Sequence, residues 1–291
     1  MKKKIAVIGS GIAGLTSAYF LQNDFEVTLF EKNDYLGGHA NTRTVKDSQN
    51  QNINIDTGFI VYNELTYPNL TKLFDQLDVP VVNSNMSFSF YNSKNLFEYG
   101  GGSLRALFAN PQNLWNWKFY RMLKDIIYFY KHFQNNKVSS SISIRQYLET
   151  KKFSHEFIYN HFLPLISSIW STPDANSLDQ PLSSIVSFFQ NHKLFNFINR
   201  PQWKTVSGGS CKYIQQIIQN AKFQIKKSIK IQKISRSSGI FLQTSGGDFH
   251  YDYLILACAP HLFLNVMNQK IDHEINILDS FPFQKNLAQL H

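Results

Sequence analysis

The stretch that decides the fold is Lys4-Ile5-Ala6-Val7-Ile8-Gly9-Ser10-Gly11-Ile12-Ala13-Gly14. Its first residues are mostly apolar and predict a short buried strand, and the pattern G-x-G-x-x-G follows at once. Residues 15–22 have apolar spacing that fits a helix, and residues 25–30 predict a second strand that ends at Glu31. This order of strand, glycine turn, helix, strand and acid is typical of a βαβ unit that binds a dinucleotide.

Each glycine of the pattern has its own expected task. Gly9 allows the tight turn, Gly11 lets the backbone approach a pyrophosphate, and Gly14 lets the helix pack close to the strand. The first N–H groups of the helix, at Ile12 and Ala13, are expected to face the phosphates. The turn therefore predicts a binding site for a diphosphate.

Glu31 lies at the end of the second strand, where a carboxylate can accept hydrogen bonds from a ribose diol. A secretory signal peptide is the competing interpretation of this region, because Lys2-Lys3-Lys4 precedes an apolar run. Glycines interrupt that run, however, no convincing cleavage site follows it, and a signal peptide would give Glu31 no role. We therefore reject the signal peptide and predict a dinucleotide site.

A second glycine pair follows in the stretch Lys32-Asn33-Asp34-Tyr35-Leu36-Gly37-Gly38-His39-Ala40-Asn41-Thr42. A plain NAD-binding domain does not need this pair, whereas the longer FAD molecule needs more backbone along its path. Gly37 and Gly38 are expected to present N–H groups to the diphosphate or the ribityl chain, and Thr42 to donate its hydroxyl. An ordinary surface turn is the alternative, which the presence of Glu31 disfavours.

With these motifs, the sequence resembles the flavin-containing amine oxidase superfamily, which includes phytoene desaturases and protoporphyrinogen oxidases. It is most similar to bacterial FAD/NAD-binding oxidoreductases found beside cyclopropane-fatty-acid synthase genes. The pattern of that group recurs at 56–63, 169–173, 191–192 and 200–210. The resemblance therefore extends over nearly the whole chain.

The resemblance implies an α/β fold. In it, a Rossmann-like FAD-binding domain of the glutathione-reductase type, with a β-meander, is interrupted by a mainly helical substrate domain. We predict the first FAD-binding segment at 1–65, the substrate domain at 66–200 and the second FAD-binding segment at 201–265. The start of a further substrate-domain segment is predicted at 266–291. Because relatives run well past this point, we expect the chain to be C-terminally truncated.

The resemblance also implies the cofactor contacts. The segment around Gly58 would pass beside the flavin, the backbone of Ile231 would meet the adenine, and Ala257 would lie near the diphosphate. His39 stands where many relatives have arginine and would face a phosphate. The predicted FAD-binding residues are Gly9, Gly11, Ile12, Ala13, Gly14, Glu31, Lys32, Gly37, Gly38, His39, Thr42, Asp56, Thr57, Gly58, Phe59, Ile231 and Ala257.

Composition limits the other classes of function. A chain of 291 residues with 43% hydrophobic content can bury a large core, and no stretch is apolar enough to predict a transmembrane helix. The two cysteines have no metal-ligand spacing and suit a reducing cytoplasm. The net charge of +9 indicates either an anionic partner or a biased genome composition. The basic residues are scattered and no nucleic-acid-binding module is present, so we favour the bias and expect no nucleic-acid partner.

Residues 103–199 are rich in aromatic side chains and predict long helices. Between Leu114 and Phe133, apolar residues recur at helical spacing among basic ones: Trp117, Tyr120, Leu123, Ile127 and Tyr130, with Lys118, Arg121, Lys124 and Lys131. We interpret this stripe as core of the substrate domain. A helix that lies on a membrane surface, and hence peripheral membrane contact, is the alternative.

Together these features predict an FAD-dependent oxidoreductase whose flavin accepts a hydride from an apolar small molecule or a lipid acyl chain. No catalytic acid or base is assigned; His192, His161 and Tyr62 are candidates by residue type alone. One alternative is a flavin-dependent isomerase of a lipid double bond. Another is a non-catalytic nucleotide-binding partner of a lipid-modifying enzyme.

Overall fold

The computed structural model of the chain describes residues 1–138, 142–170, 177–269 and 271–281. These residues form two compact units. The first unit consists of Met1–Tyr62, Tyr67–Asn83 and the described residues from Lys204 onward. The second consists of Asn63–Thr66 and Ser84–Trp203.

A mainly helical region lies between two parts of the chain that contain both strands and helices. The elements before the helical region are β1 (Lys4–Ile8), α1 (Ile12–Leu21), β2 (Glu26–Phe30), β3 (Thr42–Lys46), β4 (Asn52–Asp56), α2 (Pro68–Gln76), β5 (Val81–Ser84), β6 (Ser89–Asn92) and β7 (Phe97–Gly100). The helical region contains α3 (Leu104–Leu107), a 3-10 turn (Pro111–Trp115), α4 (Trp117–Asn135), α5 (Ile144–Thr150), α6 (His155–Phe157), a π-helical turn (Ile158–Phe162), α7 (Leu163–Trp170) and α8 (Leu182–Asn191). The remaining elements are β8 (Trp203–Val206), α9 (Cys211–Gln219), β9 (Gln224–Lys226), β10 (Ile231–Arg236), β11 (Ile240–Thr244), β12 (Gly247–Tyr251), β13 (Tyr253–Leu256), α10 (Pro260–Val266) and α11 (Asp272–Asp279).

A parallel sheet lies at the centre of the first unit, with the strand order β13-β1-β2-β9. In it, Val7 of β1 is paired with Ile255 of β13 on one side and Leu29 of β2 on the other. Ala6 and Val7 are fully buried, as expected for an inner strand of a parallel sheet that is covered on both faces. The predicted α/β fold with a Rossmann-like domain is confirmed.

An antiparallel meander of β10, β11 and β12 leads the chain back to this sheet. Gly239 and Gly247, at its two turns, both have positive φ, a conformation that glycine adopts without steric cost. The predicted meander is thus confirmed. The apolar run Tyr253–Leu256 forms β13 but is not fully buried, because Tyr253 is exposed. The reason is that β13 lies at the edge of the described sheet, beside β1 alone.

Two segments pack with the first unit although the sequence prediction placed them in the substrate domain. Helix α2 buries Leu73 and Phe74 in the core of the first unit, whereas the predicted boundary lay at residue 66. Helix α11 is held to the meander by an ion pair in which Arg236 Nη1 lies 2.7 Å from Glu274 Oε1. The predicted segment 266–291 therefore begins in the first unit, and its residues 282–291 lie outside the described part.

The second unit is mainly helical and has an aromatic core. One face of α4 is buried in that core: Phe119, Met122, Ile126, Phe129 and Phe133. The hairpin of β6 and β7 pairs Asn92 with Phe97. Phe189 of α8 is fully buried, while Trp170 and Phe188 contact each other with ring centroids 4.7 Å apart. Residues 171–173, part of a predicted family motif, lie outside the described residues.

The stripe of α4 that the sequence predicted as core is mostly at the surface. Trp117, Tyr120 and Ile127 are exposed, and Tyr130 is buried; Leu123 is partly buried against the core. The prediction was wrong because α4 carries large apolar residues on more than one face. Helical spacing alone does not identify which of those faces is buried.

Truncating one ring of this core is expected to destabilise the protein strongly. Phe129 is fully buried, and its ring centroid lies 4.8 Å from that of Phe133 and 5.0 Å from that of Phe162. We expect Phe129→Ala to lower the free energy of unfolding by about 3–5 kcal/mol, measured by guanidinium denaturation. The neighbouring exposed residue provides the control, since Tyr128→Ala is expected to cost about 1 kcal/mol or less. Equal losses in the two variants would contradict the assigned core.

Candidate dinucleotide-binding site

The close packing of α1 against the sheet requires glycine at two positions. Gly9 has φ +102°, and a Cβ atom there would lie 2.5 Å from the carbonyl oxygen of Ala257. A Cβ atom at Gly14 would lie 1.8 Å from the carbonyl oxygen of Gly9. The tasks predicted for these two glycines agree with this geometry.

Gly11 is different, because the space beside it is open. A Cβ atom built at Gly11 would meet no atom of the described residues within 4 Å. No side chain caps the start of α1, and its first backbone bond runs from Leu15 N–H to the Gly11 carbonyl at 3.0 Å. The exposed residues Ile12 and Ala13 lie at this end. The helix thus presents N–H groups and a positive partial charge to an open space, which suits a phosphate group.

Glu31 joins the end of β2 to the glycine turn. Its Oε2 atom accepts hydrogen bonds from the N–H and the hydroxyl of Ser10, at 3.0 and 2.6 Å. Its Oε1 atom accepts from the N–H of Asn33 at 2.9 Å. A carboxylate has about four acceptor positions, so a ribose hydroxyl can be bound without disturbing these contacts, whereas a diol must displace one of them. Ser10 was missed by the sequence analysis because it occupies a variable position of the glycine pattern.

The second glycine pair, Gly37 and Gly38, packs directly on the glycine turn that begins at Gly9. The N–H of Gly37 donates to the carbonyl of Ser10 at 3.0 Å, so its partner is the turn and not, as predicted, the cofactor. Gly38 has φ +59°, and a Cβ atom there would lie 3.1 Å from Cα of Gly11. Gly38 therefore packs against the backbone of Gly11.

The predicted flavin-side segment 56–59 lies against the segment after the second glycine pair. The Thr57 hydroxyl donates to the Asn41 carbonyl at 2.9 Å, and the N–H of Phe59 donates to the His39 carbonyl at 3.0 Å. A Cβ atom at Gly58 would lie 2.2 Å from that same His39 oxygen. The need for glycine at 58 is explained by this approach of the two chain segments.

Asp56 connects the hairpin of β3 and β4 to the start of α9. Its Oδ1 atom accepts hydrogen bonds from the hydroxyls of Thr42 and Ser210, at 2.6 and 2.7 Å, and the Ser210 N–H also donates to this carboxylate. Thr42 Oγ1 in turn accepts from the N–H of Cys211 at 2.9 Å. Asp56 and Thr42 thus accept hydrogen bonds from the N–H groups of Ser210 and Cys211 at the start of α9. The Thr42 hydroxyl, which was predicted to donate to the cofactor, donates to Asp56 instead.

The other predicted contacts also lie in the first unit. The N–H of Ile229 donates to the Glu31 carbonyl at 2.9 Å, which brings Ile231, at the start of β10, close to the predicted ribose position. The N–H of Ala257 donates to the Ile8 carbonyl at 2.8 Å, beside the glycine turn. Lys32 is exposed next to Glu31. The site is therefore at the carboxyl ends of the parallel strands, where ligands bind in open α/β sheets.

The three candidate catalytic residues are buried or partly buried. His161 is buried between two phenols, with Nδ1 2.7 Å from the Tyr99 hydroxyl and Nε2 3.3 Å from that of Tyr130. Burial lowers the pKa of His161 to about 3. Tyr62 is buried in the core of the first unit, and burial also lowers the pKa of His192, which stacks on Trp203.

Comparisons with known proteins agree with the fold. Residues 7–77 match the family described as NAD(P)-binding Rossmann-like domain. Three solved structures are similar over most of this chain. A putrescine oxidase variant with redesigned cofactor binding has 15% identity and a TM-score of 0.71, over 96% of this chain and 63% of that one. A protein assigned as a protoporphyrinogen oxidase from Exiguobacterium sp. 255-15 has 17% identity and a TM-score of 0.63, over 91% and 61%. The CLA-producing fatty acid isomerase from P. acnes has 16% identity and a TM-score of 0.57, over 95% and 63%.

The chain thus shares the fold of these proteins and spans 61–63% of their length. Comparison with curated proteins gives no significant match. The matched family and the geometry beside Gly11 together define a dinucleotide-binding fold.

Removing the Glu31 carboxylate is expected to destabilise the ligand-free protein. Glu31→Ala leaves the N–H groups of Ser10 and Asn33 and the Ser10 hydroxyl without their acceptor. We expect the free energy of unfolding to fall by about 1–3 kcal/mol in chemical denaturation. Glu26→Ala, which removes an exposed acid from the start of β2, is the control with an expected change of about 0.5 kcal/mol or less. A Glu31→Ala variant as stable as this control would show that the carboxylate does not hold the turn.

The buried imidazole of His161 is expected to make stability fall in acid. The unfolded chain takes up a proton near the ordinary pKa of 6.5, whereas the folded protein does so only near 3. Stability is therefore lost as the pH falls from 6.5 towards 3, by up to about 1.4 kcal/mol per pH unit. His161→Gln is expected to reduce this slope in denaturation series at several pH values, and His155→Gln controls for the loss of an exposed histidine. An unchanged slope in His161→Gln would disprove the assignment.

Proposed function

We propose that the chain binds FAD and belongs to an FAD-dependent oxidoreductase that acts on an apolar substrate. The observation that carries the proposal is the open space beside Gly11 at the uncapped start of α1, and Gly38 packs against the backbone of the same glycine. A phosphate group fits there because backbone N–H groups face it and no Cβ atom fills it. The carboxylate of Glu31 lies on the neighbouring strand end, at the place that a ribose requires.

The second glycine pair favours FAD over NAD. Gly38 extends the glycine surface beyond Gly11, which gives a longer cofactor more backbone to lie against. The fold similarity to a putrescine oxidase whose cofactor binding was redesigned supports the same choice. Bound FAD would supply an acceptor for a hydride taken from an activated C–H bond.

The residues of the chain would bind and orient the cofactor. The N–H groups at the start of α1 would stabilise the negative charge of the diphosphate, and Glu31 would hold the adenosine ribose. The contacts of Asp56 with Thr42 and Ser210 fix the segments that the resemblance places beside the flavin. In this proposal Thr42 and Asp56 act as supports for the site, and no residue of the described part is assigned as an acid or base.

A flavin-dependent isomerase of a lipid double bond is the second candidate. The observation that favours it is the fold similarity to the CLA-producing fatty acid isomerase. In both candidates the substrate is apolar, and a lipid acyl chain meets that requirement. The two differ in whether an external electron acceptor is consumed as substrate is converted, which oxygen uptake or dye reduction measures.

A single glycine substitution tests the proposal. Gly11→Val is expected to weaken FAD binding by at least about 100-fold in calorimetry, because the side chain would occupy the phosphate position. Its melting temperature should change little, since Gly11 has φ −63° and ψ 176°, which valine adopts, and the space beside it is open. Gly102→Val is the matched control, because a Cβ atom there would make only one ordinary contact, 3.6 Å from Cβ of Ser87.

FAD binding by Gly11→Val with the affinity of the unmodified protein would contradict the site. If the unmodified protein itself binds no FAD, the proposal of an oxidoreductase fails. The remaining candidate would then be a non-catalytic partner of a lipid-modifying enzyme.

A further inference from the structure

A surface of the second unit combines exposed aromatic and basic residues in one short stretch of chain. We call it the aromatic–basic corner, and its apolar members are Leu104, Leu114, Trp115, Trp117 and Tyr120. The exposed fractions are 91% for Trp115, 78% for Leu104 and 63% for Trp117. Single exposed apolar residues are ordinary, whereas several in one stretch mark an interaction site.

The exposure is fixed by polar contacts beneath the corner. Asn113 is buried in the 3-10 turn, and its side-chain amide donates to the carbonyl of Glu98 at 2.8 Å. The Asn116 side chain caps α4 by accepting from the N–H of Lys118 at 3.1 Å. The Tyr120 hydroxyl donates to the Leu114 carbonyl at 3.1 Å. These bonds hold the turn in place, so Leu114 and Trp115 are directed to solvent by an ordered backbone.

The exposed charges of the corner have one sign. Residues 99–124 contain Arg105, Lys118, Arg121 and Lys124 and no aspartate or glutamate. Arg121 lies over the ring of Trp117, 5.2 Å from its centroid, and pairs with Glu156 at 2.8 Å. Among the described residues, the other three basic side chains have no carboxylate within ion-pair distance. The corner is thus apolar and positive together.

We propose that the aromatic–basic corner docks on the surface of an anionic lipid bilayer. Tryptophan and tyrosine rings are favoured at the level of the lipid headgroups, and lysine and arginine beside them attract anionic headgroups. The contact is peripheral, since none of the helices in the described ranges is long and apolar enough to cross a membrane. This inference concerns where the protein binds and is independent of the proposed function.

The sign of the charge disfavours a second copy of the chain as the occupant. In a two-fold dimer each corner would meet the same corner of its partner. Arg105, Lys118 and Lys124 would then face like charges across the contact, which is unfavourable without intervening acids. An anionic membrane has no such conflict.

Vesicle sedimentation tests the docking. The protein is mixed with vesicles of phosphatidylcholine alone, or of equal parts phosphatidylcholine and phosphatidylglycerol. We expect binding to the anionic vesicles and at least about 10-fold weaker binding to the neutral ones. Trp115→Ala with Trp117→Ala should weaken binding to anionic vesicles by at least about 10-fold. Lys118→Glu with Lys124→Glu should weaken it similarly, and high salt should release the protein.

Control variants make the same charge change, or remove exposed apolar side chains, elsewhere on the protein. Phe20→Ala with Ile277→Ala removes exposed apolar side chains of the first unit, and Lys72→Glu with Lys233→Glu makes the same charge change there. Both are expected to bind vesicles like the unmodified protein. Losses equal to those of the corner variants would overturn the proposal, because binding would then follow overall charge or hydrophobicity.

Two further outcomes would also overturn it. One is weak acrylamide quenching of Trp115 and Trp117 fluorescence in the absence of lipid, which would show that protein covers these rings. Their fluorescence is obtained by subtracting the signal of the variant that carries both Trp115→Phe and Trp117→Phe. The other is association of the protein with itself that depends on these tryptophans, without vesicle binding, which would identify a second copy as the occupant. Strong quenching in buffer that vesicles suppress would support the proposal.

Discussion

The approach of helix α1 to the glycine turn is the constraint on which the first unit depends. The distance of 1.8 Å from a Cβ atom at Gly14 to the Gly9 carbonyl shows that no larger residue fits. Ala257 closes the turn from the other side, since its carbonyl oxygen would lie 2.5 Å from a Cβ atom at Gly9. This packing aligns the start of α1 with the ends of β1 and β2. The proposed phosphate position is a consequence of that alignment.

The site is built from groups that also hold the fold. Glu31 binds Ser10 and Asn33 in the ligand-free protein, and the same carboxylate is the proposed ribose ligand. Asp56, which was expected near the flavin, instead joins Thr42 to Ser210. Because three contacts already fix the carboxylate of Glu31, its remaining acceptor position is oriented before a ribose hydroxyl arrives. Binding and folding are therefore coupled through these carboxylates.

The parts of the fold that could be predicted from sequence are those in which a particular residue type is required at a particular position. The glycines of the turn are specified by steric contacts between packed elements, so their spacing, together with the apolar residues on either side, predicted the strand, the turn and the helix. Contacts between distant segments were not predictable. Nothing in the sequence indicates that Asp56 pairs with Ser210. The glycine pair at 208–209 indicates a turn beside Ser210 but not the partner of that residue. The exposed face of α4 was misassigned because Trp117 and Phe119 are equally apolar and only packing distinguishes them.

The central claim is that the turn from Gly9 to Gly14 binds the diphosphate of FAD. Nuclear magnetic resonance of protein labelled with 15N at its 14 glycines tests it most directly, with signals assigned by single substitutions. On titration with oxidised FAD, we predict that the amide signals of Gly11 and Gly38 shift and saturate together, while that of Gly102 does not move. A Gly11 signal that stays unchanged while FAD binds, or shifts confined to the glycines of the second unit, would contradict the claim.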